Sequence, residues 1–345
     1  QAAALALLFF SLVAPLLPSM GAAGCRSRAS SPSAVHPVAD DHVAAGSCPR
    51  LFPMYVVPVP LFLDMTEALP HQDLRRAGVV VDMAMLPGRD AVFISHQWCG
   101  RAHADRHFRQ LSVLQATFVR AASGSLTVQA DLLTALAHLT NSSVKTADLR
   151  GAMTWAMWYD YFSVPQPLAP VAESSQHVDL GADLGKAVAS LPSYVQACRF
   201  FIVLAPTVVH EEGHLIDYAS WKRRCWCRLE RIARVLSLAE THVLLVRLPE
   251  VISEVGPNEY LLEPVGLGCL SYEGDRAGLG PLMEDLVARK LFKLRSAGRY
   301  DEFRRLLSWC PTILQGLPAS WRSAISSCPQ FGMPVGLEDA VEELD

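Results

Sequence analysis

The sequence predicts an α/β fold built on a parallel sheet. Three observations carry that reading. Four short apolar runs, 91–95 (AVFIS), 153–159 (MTWAMWY), 200–204 (FFIVL) and 243–246 (VLLV), suit strands buried on both faces. Helix-patterned stretches separate them, the alternation expected of parallel strands joined by right-handed crossovers. The third run is followed by a loop and then by 221–236 (WKRRCWCRLERIARVL), in which Trp226, Leu229, Ala233 and Leu236 share an apolar face at about 100° per residue. Glu230 falls roughly 40° from Trp226, on the rim of that face. An acid on the rim of a buried stripe either costs stability or has a task.

The bulk properties set limits. A chain of 345 residues holds one large domain or two smaller ones. With 51% apolar and 19% charged residues it can bury a sizeable core, which excludes wholesale disorder. A net charge of -4 carries no nucleic-acid footprint, so no nucleic-acid partner is expected. The nine cysteines include no C-x-x-C pair and read as reduced thiols rather than a disulfide scaffold. Cys225 and Cys227 flank Trp226 beside basic residues, whose charge would lower a thiol pKa, but small apolar packing is the default role of such cysteines and redox control the minor alternative.

In chain order, 1–25 is a hydrophobic leader: a signal or anchor, a misassigned start, or a lipidation start with Gly21 and Cys25 following Met20. It is the one route to a membrane the sequence offers, and the rest is expected in the cytoplasm. Residues 26–50, rich in Ser, Ala, Pro and Asp, read as a flexible linker. Residues 51–63 are apolar but carry Pro53, Pro58 and Pro60, which predicts extended chain. They open an extended segment, 51–90, with a short helix near 73. The main domain spans 91–250. Within it, helices are expected at 103–122 (Phe108, Leu111, Leu114, Phe118), at 132–139 and at 183–191, with a break at Pro192. Residues 251–345 read as a helical extension, with helices at 282–294 and 300–309 and a weaker run near 340.

These residues resemble a TIR (Toll/interleukin-1 receptor-like) domain. The likeness runs through Phe93-Ile94-Ser95-His96-Gln97, Trp158-Tyr159-Asp160, Ile202-Val203-Leu204, Tyr218-Ala219-Ser220 and, most specifically, Trp226-Cys227-Arg228-Leu229-Glu230. Departures are His96-Gln97-Trp98 in place of an aromatic-Arg-Gly sequence, a long first crossover and a Pro165-Gln166-Pro167 loop. The resemblance implies a flavodoxin-like parallel sheet of order 2-1-3-4-5, whose ligand crevice lies between the first and third strands. Ser95, His96, Trp98 and Glu230 would then surround one crevice, with Asp160 facing it and Trp226 completing the lining.

Some TIR domains cleave NAD at the nicotinamide-ribose bond through the glutamate of W-C-x-x-E, which is Glu230 here. Departure of nicotinamide leaves an oxocarbenium-like ribosyl cation, which a carboxylate stabilises. NAD would be substrate, with no cofactor. Many TIR domains are instead assembly modules, so self-association or pairing with other TIR-like proteins is the rival expectation. In that case Glu230 would be a capping or salt-bridging acid beside Arg224 or Arg234, and Trp98 a core residue. A remote third reading is His210-Glu211-Glu212-Gly213-His214, which fits the H-E-x-x-H helix of zinc proteases. Gly213 weakens a helix there and no third ligand is evident, so no metal site is expected.

Overall fold

The structure, a computed structural model, describes residues 48–138, 142–166, 180–238, 242–256 and 262–318. The leader, most of the linker and the run near 340 lie outside the described residues. Along the chain the main elements are β1 (Tyr55–Pro58), α1 (Val59–Leu63), α2 (His71–Arg76), β2 (Val81–Asp82), β3 (Ala91–His96), α3 (Arg109–Ser123), β4 (Thr127–Ala130), α4 (Leu132–His138), α5 (Thr146–Leu149) and β5 (Ala156–Tyr159). They continue with α6 (Asp160–Ser163), α7 (Leu180–Ala189), α8 (Leu191–Ala197), β6 (Phe200–Leu204), β7 (Val208–Val209), β8 (Leu215–Ile216), α9 (Tyr218–Trp221), α10 (Cys225–Val235), β9 (Val243–Leu248), β10 (Val251–Val255), α11 (Asp275–Ser296) and α12 (Tyr300–Ile313).

The class is α/β, and the main sheet is mixed, with eight strands in the order β2-β1-β5-β3-β6-β9-β10-β4. At its centre β5, β3, β6 and β9 run parallel. The expected order 2-1-3-4-5 is not the order of the whole sheet. The place expected for a fifth parallel strand is taken by β10, which runs antiparallel to β9. Only Pro249 and Glu250 separate the two, far too few residues for a crossover helix. β4 then pairs parallel to β10 and forms one margin. At the other margin β1 runs antiparallel to β5, and the two-residue β2 runs antiparallel to β1. Residues 51–90, expected as an extended approach, thus supply two strands of the sheet.

All six residues of β3 are buried because both faces are covered. Ala91 and Phe93 join a core formed with α8, α10, α11 and α12. Val92 and Ile94 join a second core with Leu111, Leu114 and Phe118 of α3. The Phe93 ring stacks between its registered neighbours, 4.3 Å from Trp158 and 5.3 Å from Phe201 between centroids.

Local chemistry accounts for the shifted boundaries. Val59–Leu63 is helical despite its prolines because Pro60 falls in the first turn, where no amide partner is lost. Pro192 likewise starts α8 instead of ending the helical region. Residues 153 and 154 belong to a 3-10 turn ahead of β5. The helix expected from 103 begins at Arg109, since the Asp105 carboxylate accepts the amides of Arg109, Gln110 and Leu111. Phe108, just before it, takes a left-handed φ of 55°. No described helix is long and apolar enough to cross a membrane.

Candidate functional site

The parallel strands deliver side chains to their carboxyl ends, where α/β folds place ligands. Ser95 and His96 end β3, and Asp160 follows β5 directly. Glu230 comes from α10, which packs against β3; the Cys227 thiol donates to the His96 carbonyl at 3.5 Å.

Two hydrogen-bond systems start there from neighbouring residues of β3, Ser95 and His96. In the first, the Ser95 hydroxyl donates to Oε2 of Glu230 at 2.5 Å and accepts from the Trp221 indole at 3.1 Å. Glu230 keeps some exposure as a residue, but its carboxyl is enclosed by protein. Burial pushes that carboxyl up to about 8, against the lowering effect of Ser95 and with a further raising effect of Asp160. In this arrangement Glu230 is chiefly neutral at pH 7, not the fixed negative charge that the resemblance implies.

In the second system, Asp160 bonds His96 Nε2 through Oδ1 at 2.8 Å and accepts the Trp98 indole on Oδ2 at 2.7 Å. The Tyr161 amide donates to Oδ1 at 2.6 Å. Burial acts to raise the Asp160 carboxyl, but His96 and the donors from Trp98 and Tyr161 outweigh it and hold the group below its ordinary value. The His96 ring also stacks on Tyr159 at 4.1 Å, and Nδ1 lies 3.3 Å from the Tyr159 hydroxyl. Two acids with oppositely shifted affinities for a proton therefore share one end of the sheet.

At one end of the sheet the structure thus brings together two sets on opposite faces of β3, Ser95 with Glu230 and His96 with Trp98 and Asp160, because successive strand residues point to opposite sides. Trp226 joins neither set. Its indole donates to Oδ2 of Asp275 at 3.2 Å, so it anchors α11 to α10. Trp98 and Tyr161 meet at right angles, 5.5 Å apart between ring centroids. Trp221 and Tyr159 were missed as partners; the first is signalled only by its place next to Ser220 ahead of α10. Cys225 and Cys227 are buried, as packing residues are, and burial raises both thiols, outweighing the lowering effect expected of the nearby basic residues.

The adjoining hollow is small. Gln97, Gln110, Leu204, Ala205, Pro206, Ile216, Asp217 and Trp221 line about 150 Å³ of empty space, and Glu230 is not among them. That does not admit a dinucleotide. A larger groove, about 470 Å³, lies by Val128, Gln129 and Lys145 at the far margin and touches none of the candidate residues. The H-E-x-x-H stretch is not a helix but the turn between β7 and β8. Glu211, the base of the protease reading, accepts the Arg101 amide instead. No protein-family model matches the chain, and comparison with curated proteins and with solved structures finds no match.

Proposed function

We propose that the chain is a TIR-like signalling domain whose Glu230 site hydrolyses NAD at the nicotinamide-ribose bond after the strand-end hollow opens. The observation that carries this reading is the Ser95–Glu230 hydrogen bond at the carboxyl ends of parallel strands, beside an acid of opposite proton affinity. Paired titratable groups pushed apart in this way are typical of acid-base sites. The nicotinamide ring of NAD is cationic, and a cation beside Glu230 would favour its ionised form. The carboxylate then faces the developing ribosyl cation. The C–N bond breaks with its electron pair going to nicotinamide; water adds to the ribose carbon and gives up a proton.

A second reading, an assembly module without turnover, is favoured by the 150 Å³ hollow. Incubation of the full chain with NAD over a range of protein concentrations separates the two. Nicotinamide release that Glu230→Ala abolishes supports hydrolysis. Release that survives the substitution removes Glu230 from the mechanism, and no release at any concentration leaves the assembly reading.

A further inference from the structure

The turn from His210 to His214 holds a second cluster, which shares no residue with the strand-end acids. β7 and β8 pair antiparallel, with Val208 opposite Ile216 and Val209 opposite Leu215. The next positions inward are His210 and His214, which close the turn through a His210 amide to His214 carbonyl bond of 2.8 Å. Residues four apart on a helix share a face; here the tight turn achieves the same thing across two strands. Gly213 permits it with φ of 87°. The two imidazole rings consequently lie side by side, 4.4 Å apart between centroids and 23° from parallel.

Glu212 completes the cluster. Its Oε1 is held by the Arg101 guanidinium at 2.6 Å, and its Oε2 faces His210 Nδ1 at 3.8 Å. One donor atom from each of His210, Glu212 and His214 fits within 4.8 Å of the others. Two ligand atoms each about 2.0–2.2 Å from one tetrahedral ion are separated by roughly 3.3–3.6 Å, so small rotamer adjustments suffice. Imidazole nitrogen with one carboxylate oxygen is a donor set for borderline divalent transition metals, and it disfavours calcium or magnesium, which take oxygen ligands.

We propose that His210, Glu212 and His214 form a binding site for one such ion, zinc being the reference case, with the fourth position open to water. This differs from the helix motif suggested by the sequence, because Glu212 and not Glu211 supplies the carboxylate. Arg101 serves as the outer partner that orients it. The ion would staple the β7–β8 turn. Glu211 ties that turn to the loop after β3 through its amide bond to the Cys99 carbonyl at 2.8 Å and its carboxylate bond to the Arg101 amide.

The test uses the full chain, stripped with chelator and titrated with Co²⁺ as a spectroscopic probe, then competed with Zn²⁺. A 1:1 complex with d–d absorption and no thiolate charge-transfer band is expected. His214→Ala and Glu212→Gln should each weaken it at least about tenfold, since losing a direct ligand costs no less than losing an outer partner. Both side chains are exposed, so the fold survives, and Glu211→Gln serves as a control that keeps binding. No 1:1 complex, a thiolate band, or affinity unchanged in both His214→Ala and Glu212→Gln would each overturn the site.

Discussion

Ser95 and Glu230 lie 135 positions apart in sequence, yet share a 2.5 Å hydrogen bond that joins the end of β3 to the second turn of α10. The bond places a serine hydroxyl between an indole donor and a carboxyl whose proton is held by burial.

That proton makes stability depend on pH. A carboxyl whose folded pKa is raised binds its proton more tightly folded than unfolded. Its contribution is full below 4.5, is lost as pH rises toward about 8, and is constant above that. The slope in that window is at most about 1.4 kcal/mol per pH unit. Glu230→Gln, neutral throughout, should flatten the decline while changing stability little near pH 5. Urea unfolding at a series of pH values measures this, and equal slopes for both proteins would refute a raised Glu230.

Ser95→Ala should act in two ways. The Trp221 indole loses its acceptor inside the core, a cost of about 1–3 kcal/mol. Glu230 also loses the one bond that favours its ionised form, so the pH-dependent decline should extend to higher pH than in the parent chain. Denaturation curves at pH 6 and pH 9 read both effects.

Asp160 organises His96, Trp98 and the Tyr161 amide, so it should matter more than any one partner. Asp160→Ala is expected to cost on the order of 3 kcal/mol, because it strands three donors. Trp98→Phe removes one bond and keeps most of the packing, about 1–2 kcal/mol. If guanidinium unfolding ranks Trp98→Phe as the more harmful, Asp160 is not the hub.

Arg234 is fully buried on α10 and donates to the carbonyls of Cys198 at 2.7 Å, Arg199 at 2.7 Å and His242 at 3.1 Å. It thereby ties α10 to the backbone just ahead of β6 and just ahead of β9. Arg234→Met should destabilise by roughly 3 kcal/mol or more, and Arg234→Lys should recover little, since one ammonium cannot reproduce the planar fork. Thermal melting of the two variants tests this.

These residues also separate what was legible in the sequence from what was not. β3 and β6 were readable because burial on both faces leaves an uninterrupted apolar run, a local signature. Glu230 was readable because helical spacing alone puts it on the rim of a buried stripe. The start of α3 was not, because the Asp105 side chain and not periodicity sets it. Nor was the pairing of β4 with β10, whose registered residues Thr127 and Val251 are far apart in the chain. Trp226 shares a helix side with Glu230 but finds Asp275, a partner in a segment whose docking no local pattern encodes. Glu212 escaped notice as a third ligand because hairpin geometry, not helical spacing, gathers it with the two histidines.

The margins of the main sheet limit how copies of this chain can meet. One rim is β2, two residues long, and the other is β4, four residues long. Such short rims give an incoming backbone little to zip onto, which guards against runaway edge-to-edge polymerisation. Multimers would have to dock through side chains on helices and connecting loops, and so should come apart with point substitutions there while each copy stays folded.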